Sequence, residues 1–194
     1  MDRGLTQAVE SFVVAVGAAL RVAATGTTVK TDKLDQDAVV EAFNLCSAFV
    51  DVDKRHTDDE LWALVETFTH LGPLRSETTP ASMRANSMVE GKRSWLAKPS
   101  DLFETLRQVD VQRGTRLTRD YYDQAMALAH TVASLDLVPS DSELQAIVGF
   151  QRLLMAAFPP APAQPTTVFF LMIRRPPRST PAAPAEEPLP PSEK

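Results

Sequence analysis

Cysteine is nearly absent from this 194-residue chain: Cys46 stands alone. A single thiol excludes a disulfide framework and a Cys-rich zinc site, and it fits a reducing cytoplasm. Basic charge is not in excess either, since Lys and Arg number 20 against 25 Asp and Glu, a formal charge of -5. That excludes a generally basic nucleic-acid-binding chain. No segment before residue 158 alternates apolar and polar residues over a strand's length, and hairpin glycines are missing, so strands are not expected there. Three reaction signatures are missing as well. There is no Gly-x-x-x-x-Gly-Lys-[Ser/Thr] phosphate loop, no Gly-x-Ser-x-Gly elbow and no His-x-x-x-His pair. The balance, 44% hydrophobic and 23% charged, is that of a soluble, mildly acidic globular domain, and nothing in it points to an enzyme.

Composition breaks near residue 158. Eleven of the 15 prolines lie from Pro159 onward, and no glycine follows Gly149. Residues 159–166 and 181–194 are low-complexity and Pro-rich, which predicts an extended, disordered linker. Between them, Val168–Ile173 is a short apolar run, far below the length of about 20 residues that a membrane span needs. The stretch VFFLMIRRPPRST, residues 168–180, resembles the translation of a sequencing-adapter read. Genuine relatives are therefore expected to run from linker to linker without it. At the other end, Phe12–Leu20 is signal-like in composition. Glu10 sits against it, however, and Val9, Phe12, Val13, Val16 and Leu20 fall at helical spacing, so an amphipathic first helix is expected.

Helical spacing recurs throughout. It predicts an all-α fold of about seven helices in residues 1–158. A helix from Asp35 to about Val52 carries Val39, Phe43, Cys46 and Val50 on one stripe. Thr57 caps the next, ended by Gly72-Pro73, and Thr79 caps one that opens at Pro80. Ser100 caps a helix with Leu102, Phe103 and Leu106 inward. Thr118 opens another through about Leu135, with Tyr122, Met126, Ala129 and Val132 on one face. Ser140 caps the last, with Leu144, Ile147, Val148, Phe150 and Leu154 apolar.

Two of these turns are copies of one another. Leu45–Val65 laid over Leu128–Val148 without a gap gives seven identities in 21 positions, with Asp53/Asp136, Asp58/Asp141, Glu60/Glu143 and Leu61/Leu144 among them. The shared pattern is Asp-x-x-x-[Thr/Ser]-Asp-x-Glu-Leu between two helices. Two helical halves packed about a local pseudo-two-fold are the simplest account. Thr57 with Glu60, and Ser140 with Glu143, have capping-box spacing. Asp58 and Asp141 complement the helix dipole. Asp53 and Asp136 oppose it, because each ends the preceding helix. Two readings therefore stand open for Asp53, Glu60, Asp136 and Glu143: tightly capped turns, or oxygen ligands for a hard cation, Mg2+ or Ca2+.

The segment AFVDVDKRHTDDELWALV, residues 48–65, resembles the signature of the TerB-like, tellurite-resistance family. Its Gly after the Asp is Lys54 here and Leu137 in the second copy. The resemblance implies a helical fold of about seven helices with acidic positions at Asp53, Glu60, Asp136 and Glu143. The wider layout of two halves, an intervening GKRSWLAKPSDLFETL and a Pro-rich linker is similar to the N-terminal region of bacterial AAA-family ATPases of the CbxX/SpoVK kind. That likeness implies a cytoplasmic, non-catalytic binding or regulatory module that ends before its ATPase domain. Its partner would be a protein or that linked domain, with no role for nucleic acid or membrane. A stand-alone divalent-cation-binding stress-resistance protein is the alternative.

Single residues add little. Cys46 falls on an apolar stripe and reads as a small buried hydrophobe. His56 reads as solvated, beside the Thr57 cap. Trp62 has Gln145 as its counterpart in the second copy, which marks it as a candidate partner-binding residue rather than a requirement of the fold.

Overall fold

In the computed structural model, residues 3–158 are described apart from 27, 29 and 137. They hold seven α-helices, one 3-10 helix and no strand. The helices are α1 (Arg3–Ala23), α2 (Thr31–Val50), α3 (Asp58–His70), α4 (Pro80–Ala85), α5 (Asp101–Arg113), α6 (Leu117–Ala133) and α7 (Asp141–Ala156); the 3-10 helix is Lys92–Ala97. The expected all-α fold of seven helices is what forms. The linkers 159–166 and 181–194 and the insert 168–180 lie outside the described residues.

Local chemistry sets most boundaries. Thr57, Thr79 and Ser140 each close a reciprocal capping box with the residue three places on, and Ser100 accepts the Phe103 N–H at 3.1 Å. Pro80 occupies the first turn of α4, where its missing N–H removes no helical bond. The start of α6 differs from the reading above. The helix opens at Leu117, and Arg116 before it makes no side-chain cap. Asp110, near the end of α5, does that work instead. It accepts from Leu117 N–H at 2.8 Å, Thr118 N–H at 2.9 Å, and the Thr115 and Thr118 hydroxyls at 2.6 Å each. Burial works against its charge, but these four donors outweigh it and hold the Asp110 carboxyl below its ordinary value.

The core is built around α1, α2 and α6. Helix α1 packs mainly on α6 and α2, and α2 packs on α6 and the 3-10 helix. Val9, Phe12, Val16 and Leu20 of α1 are buried, as their spacing predicts. Gly4–Ala23 is also long and apolar enough, by length and composition, to cross a membrane; in the fold its apolar stripe faces other helices. Tyr121 sits edge-on to Phe12 and Phe103, with ring centroids 5.6 and 5.3 Å away. Arg113 ties the end of α5 to that of α1, donating to the Val22 and Thr25 carbonyls at 3.0 and 3.2 Å. Cys46 is fully buried, and burial pushes its thiol up to about 12, so it packs as an inert hydrophobe.

Helix α7 departs from expectation on one face. Ile147, Phe150 and Leu154 are buried, but Leu144 and Val148 are exposed. Helical spacing alone cannot say which part of a wide apolar stripe a neighbour covers. Among the described residues, helix α7 packs on α6 and the 3-10 helix, and Phe150 sits edge-on to Phe49 of α2 at 5.6 Å; Leu144 and Val148 point away from these neighbours.

Candidate functional site

The two duplicated turns meet. Ligand-capable oxygens of Glu60, Asp136 and Glu143 lie within 4.8 Å of one another, Glu60 and Glu143 buried and Asp136 half-buried. Each glutamate is placed by its own cap. The Glu60 Oε2 accepts from Thr57 N–H at 2.7 Å and the Thr57 hydroxyl at 2.8 Å. The Glu143 Oε2 accepts from Ser140 N–H at 2.6 Å and the Ser140 hydroxyl at 2.9 Å. The two N-cap side chains accept the returning Glu60 and Glu143 amides at 3.3 and 3.2 Å. Both boxes read from the spacing are therefore present, and they bring two buried carboxylates and a third acid to one junction.

Burial raises the Glu60 pKa above its ordinary value. The Thr57 donors pull it back, and the charges of Asp136 and Asp53 raise it further. A junction of this kind has two chemical outlets: it keeps a proton, or it holds a cation that offsets the repulsion. Three carboxylates supply part of the oxygen shell that either Mg2+ or Ca2+ takes, with water able to complete it.

Three of the four residues singled out for a cation are thus brought together. Asp53 is turned to its own loop, where it accepts the Arg55 N–H at 2.9 Å. This Asx-type bond explains an acid that the helix dipole disfavours. Lys54, in the place of the signature's Gly, has a left-handed φ of 63°, a conformation glycine adopts without strain.

Three features of the first turn were hidden in the sequence. His56 is not solvated: its Nε2 lies 2.9 Å from Asp51 Oδ1, and both side chains are largely buried. The other Asp51 oxygen accepts the Arg93 N–H at 3.0 Å, which ties the turn to the 3-10 helix. Arg84 of α4 reaches back, donating to the His56 carbonyl at 2.7 Å and pairing with Asp58 at 2.6 Å. Arg84 and Arg93 come from 28 and 42 residues along the chain, which leaves no local periodicity to read, and the His56–Asp51 contact depends on the turn that those partners hold.

Trp62 is 47% exposed on the outer face of α3. It is therefore surface, not core. Its neighbours Leu61 and Val65 are 1% and 5% exposed, whereas their counterparts Leu144 and Val148 are 48% and 41% exposed. An open groove of about 460 Å³ runs past Asp141, Leu144, Gln145, Val148, Gly149 and Arg152.

A separate cavity of about 530 Å³ has Val40, Glu41, Trp95, Lys98 and Asp101 among its lining residues. Glu41 is buried and accepts the Tyr121 hydroxyl at 2.5 Å. Burial raises its pKa, the Ser100 and Tyr121 hydroxyls oppose that, and the Asp101 charge adds to it.

No family model, curated protein or solved structure matches the chain.

Proposed function

We propose that the chain is a non-catalytic docking module, in keeping with its resemblance to the regulatory N-terminal region of CbxX/SpoVK-type AAA-family ATPases. The observation that carries this reading is the bare apolar face of α7. Leu144 and Val148 are exposed where the same positions of the first half, Leu61 and Val65, are buried. Isolated exposed apolar residues are ordinary, but a row at helical spacing along a groove marks an interaction surface. Met155 extends the row, and Trp62 offers a second exposed anchor on α3. The work assigned to this cytoplasmic module is to hold a protein partner, or the linked ATPase domain, rather than to make or break bonds.

The test is photo-crosslinking in cells. A benzoyl-phenylalanine at Gln145 is expected to give a discrete protein adduct that Val148→Asp abolishes. The same probe at Val111, exposed on α5, is expected to give none. Equal labelling from both positions, or no adduct from either, would remove the docking reading.

A second reading, divalent-cation binding, is favoured by the convergence of Glu60, Asp136 and Glu143 from both halves. Calorimetric titration with Mg2+ and with Ca2+ decides it. Heat of binding with a rise in melting temperature supports a cation site; neither signal leaves only the caps.

A further inference from the structure

Building on the docking reading above, we propose that the outer face of α7 takes a short helical segment of a partner protein presenting an apolar side chain followed by arginine. The template is inside the molecule. In the first half, α4 packs on α3. Met83 is buried there and lines one small cavity with Leu61 and Arg84. Arg84 then pairs with Asp58 at 2.6 Å. Apolar cover for Leu61 and a cation for Asp58 thus arrive on consecutive residues of one short helix.

The second half has the receiving surface without the cover. Leu144 stands for Leu61, Val148 for Val65 and Asp141 for Asp58. Leu144 and Val148 are exposed, and the Asp141 carboxylate has no ion pair or hydrogen bond among the described residues. The charge complement of Arg84 is therefore present and free. Gly149 adds an independent sign. Glycine inside a helix costs about 1 kcal/mol relative to alanine. Yet a Cβ at Gly149 would meet nothing within 4 Å, so no neighbour within the fold demands its absence. Its bare backbone lines the same groove and lets another chain approach closely.

The probe is a synthetic peptide of residues 78–91, TTPASMRANSMVEG, titrated into the full chain with backbone amide shifts followed by NMR. Saturable shifts at Leu144, Val148 and Gly149 are expected. The peptide carrying Arg84→Glu is expected to bind at least about fivefold more weakly, the worth of one surface ion pair. Pairing that peptide with Asp141→Arg protein is expected to restore binding. The proposal is overturned by no saturable shift, by shifts confined to α3, or by a charge-reversed peptide that binds equally well. It is likewise overturned if the α7 shifts move with protein concentration alone, because a second copy is then the occupant. Peptide failure with a persisting Gln145 crosslink removes this occupant and leaves the docking reading; failure of both removes both.

Discussion

Glu60→Gln separates a proton-holding junction from a destabilising or cation-dependent one. Glutamine keeps the cap, since its amide oxygen still accepts from Thr57 N–H and the Thr57 hydroxyl, now at 2.7 and 2.8 Å. The change removes one charge from a cluster whose oxygens lie within 4.8 Å of one another. At that distance and an effective dielectric of about 20, each ionised pair repels by about 3 kcal/mol. Burial and these neighbouring charges both penalise an ionised Glu60, so a gain of about 1–3 kcal/mol is expected for the variant near pH 7.5. In melting temperature that is about 2–10 °C for a domain of this size. The sign with pH is fixed. The folded pKa of Glu60 is raised, so its stabilising protonation is complete below the unfolded value and lost as pH rises through the folded one. The variant's advantage must grow with pH and vanish near pH 4. Thermal melts in metal-free buffer across that range are the assay. A lower melting temperature at neutral pH, or an advantage independent of pH, would refute the reasoning. Under the cation reading, added Mg2+ raises the wild type's melting temperature and leaves the variant's unchanged.

Asp110→Asn should cost about 2–4 kcal/mol in denaturant unfolding, since an amide oxygen cannot serve four donors at once. Because the Asp110 pKa is lowered, that cost is present above the ordinary Asp range and shrinks as pH falls through the folded value; a cost that grew on acidification would contradict it. Lys54→Gly should stabilise by up to about 1 kcal/mol, the left-handed strain at φ 63° outweighing glycine's greater freedom when unfolded. A loss in the same melts would show that the lysine side chain matters more than its backbone. Ser47→Ala should raise stability by about 1 kcal/mol, because the Ser47 hydroxyl is buried without a hydrogen-bond partner; destabilisation would mean that the hydroxyl has a partner.

What could be read ahead of the structure depended on the range of the interaction. Capping boxes act over three residues, so Thr57 with Glu60 and Ser140 with Glu143 were legible, as was Pro80 in a first turn. The helical stripes of α1 and α6 were legible because both lie in the middle of the packing. The 3-10 helix Lys92–Ala97 was not: KRSWLA carries no apolar period, and Asp51, 42 residues away, holds its Arg93 amide. Glu41 stayed hidden for the same reason, its Tyr121 partner lying 80 residues on. For Asp110 the signal was local but displaced, seven residues ahead of the helix it caps. Leu144 and Val148 failed differently. Their periodicity is real, but a stripe records what a helix can bury, and burial needs a second element to supply the cover.

That failure bears on how a duplicated turn comes to serve function. Two copies of one hairpin meet at Glu60, Asp136 and Glu143, and a junction of like charges is a poor place to seek stability. What it supplies is register. Each glutamate is fixed by its own N-cap, so the oxygens can converge only if both helices start at the right residue. Once the junction sets the relation between the halves, the Leu61 face of α3 and the matching Leu144 face of α7 are free to diverge. One is covered by α4, with Arg84 on Asp58; the other keeps Leu144 and Val148 exposed, beside an Asp141 that has no ion pair among the described residues. Stability alone would favour covering the second face or making it polar, as it is at Gln145, the counterpart of Trp62. Exposed apolar residues beside that polar position, with a helix-weakening Gly149 between them and Met155, are better explained by something that binds there.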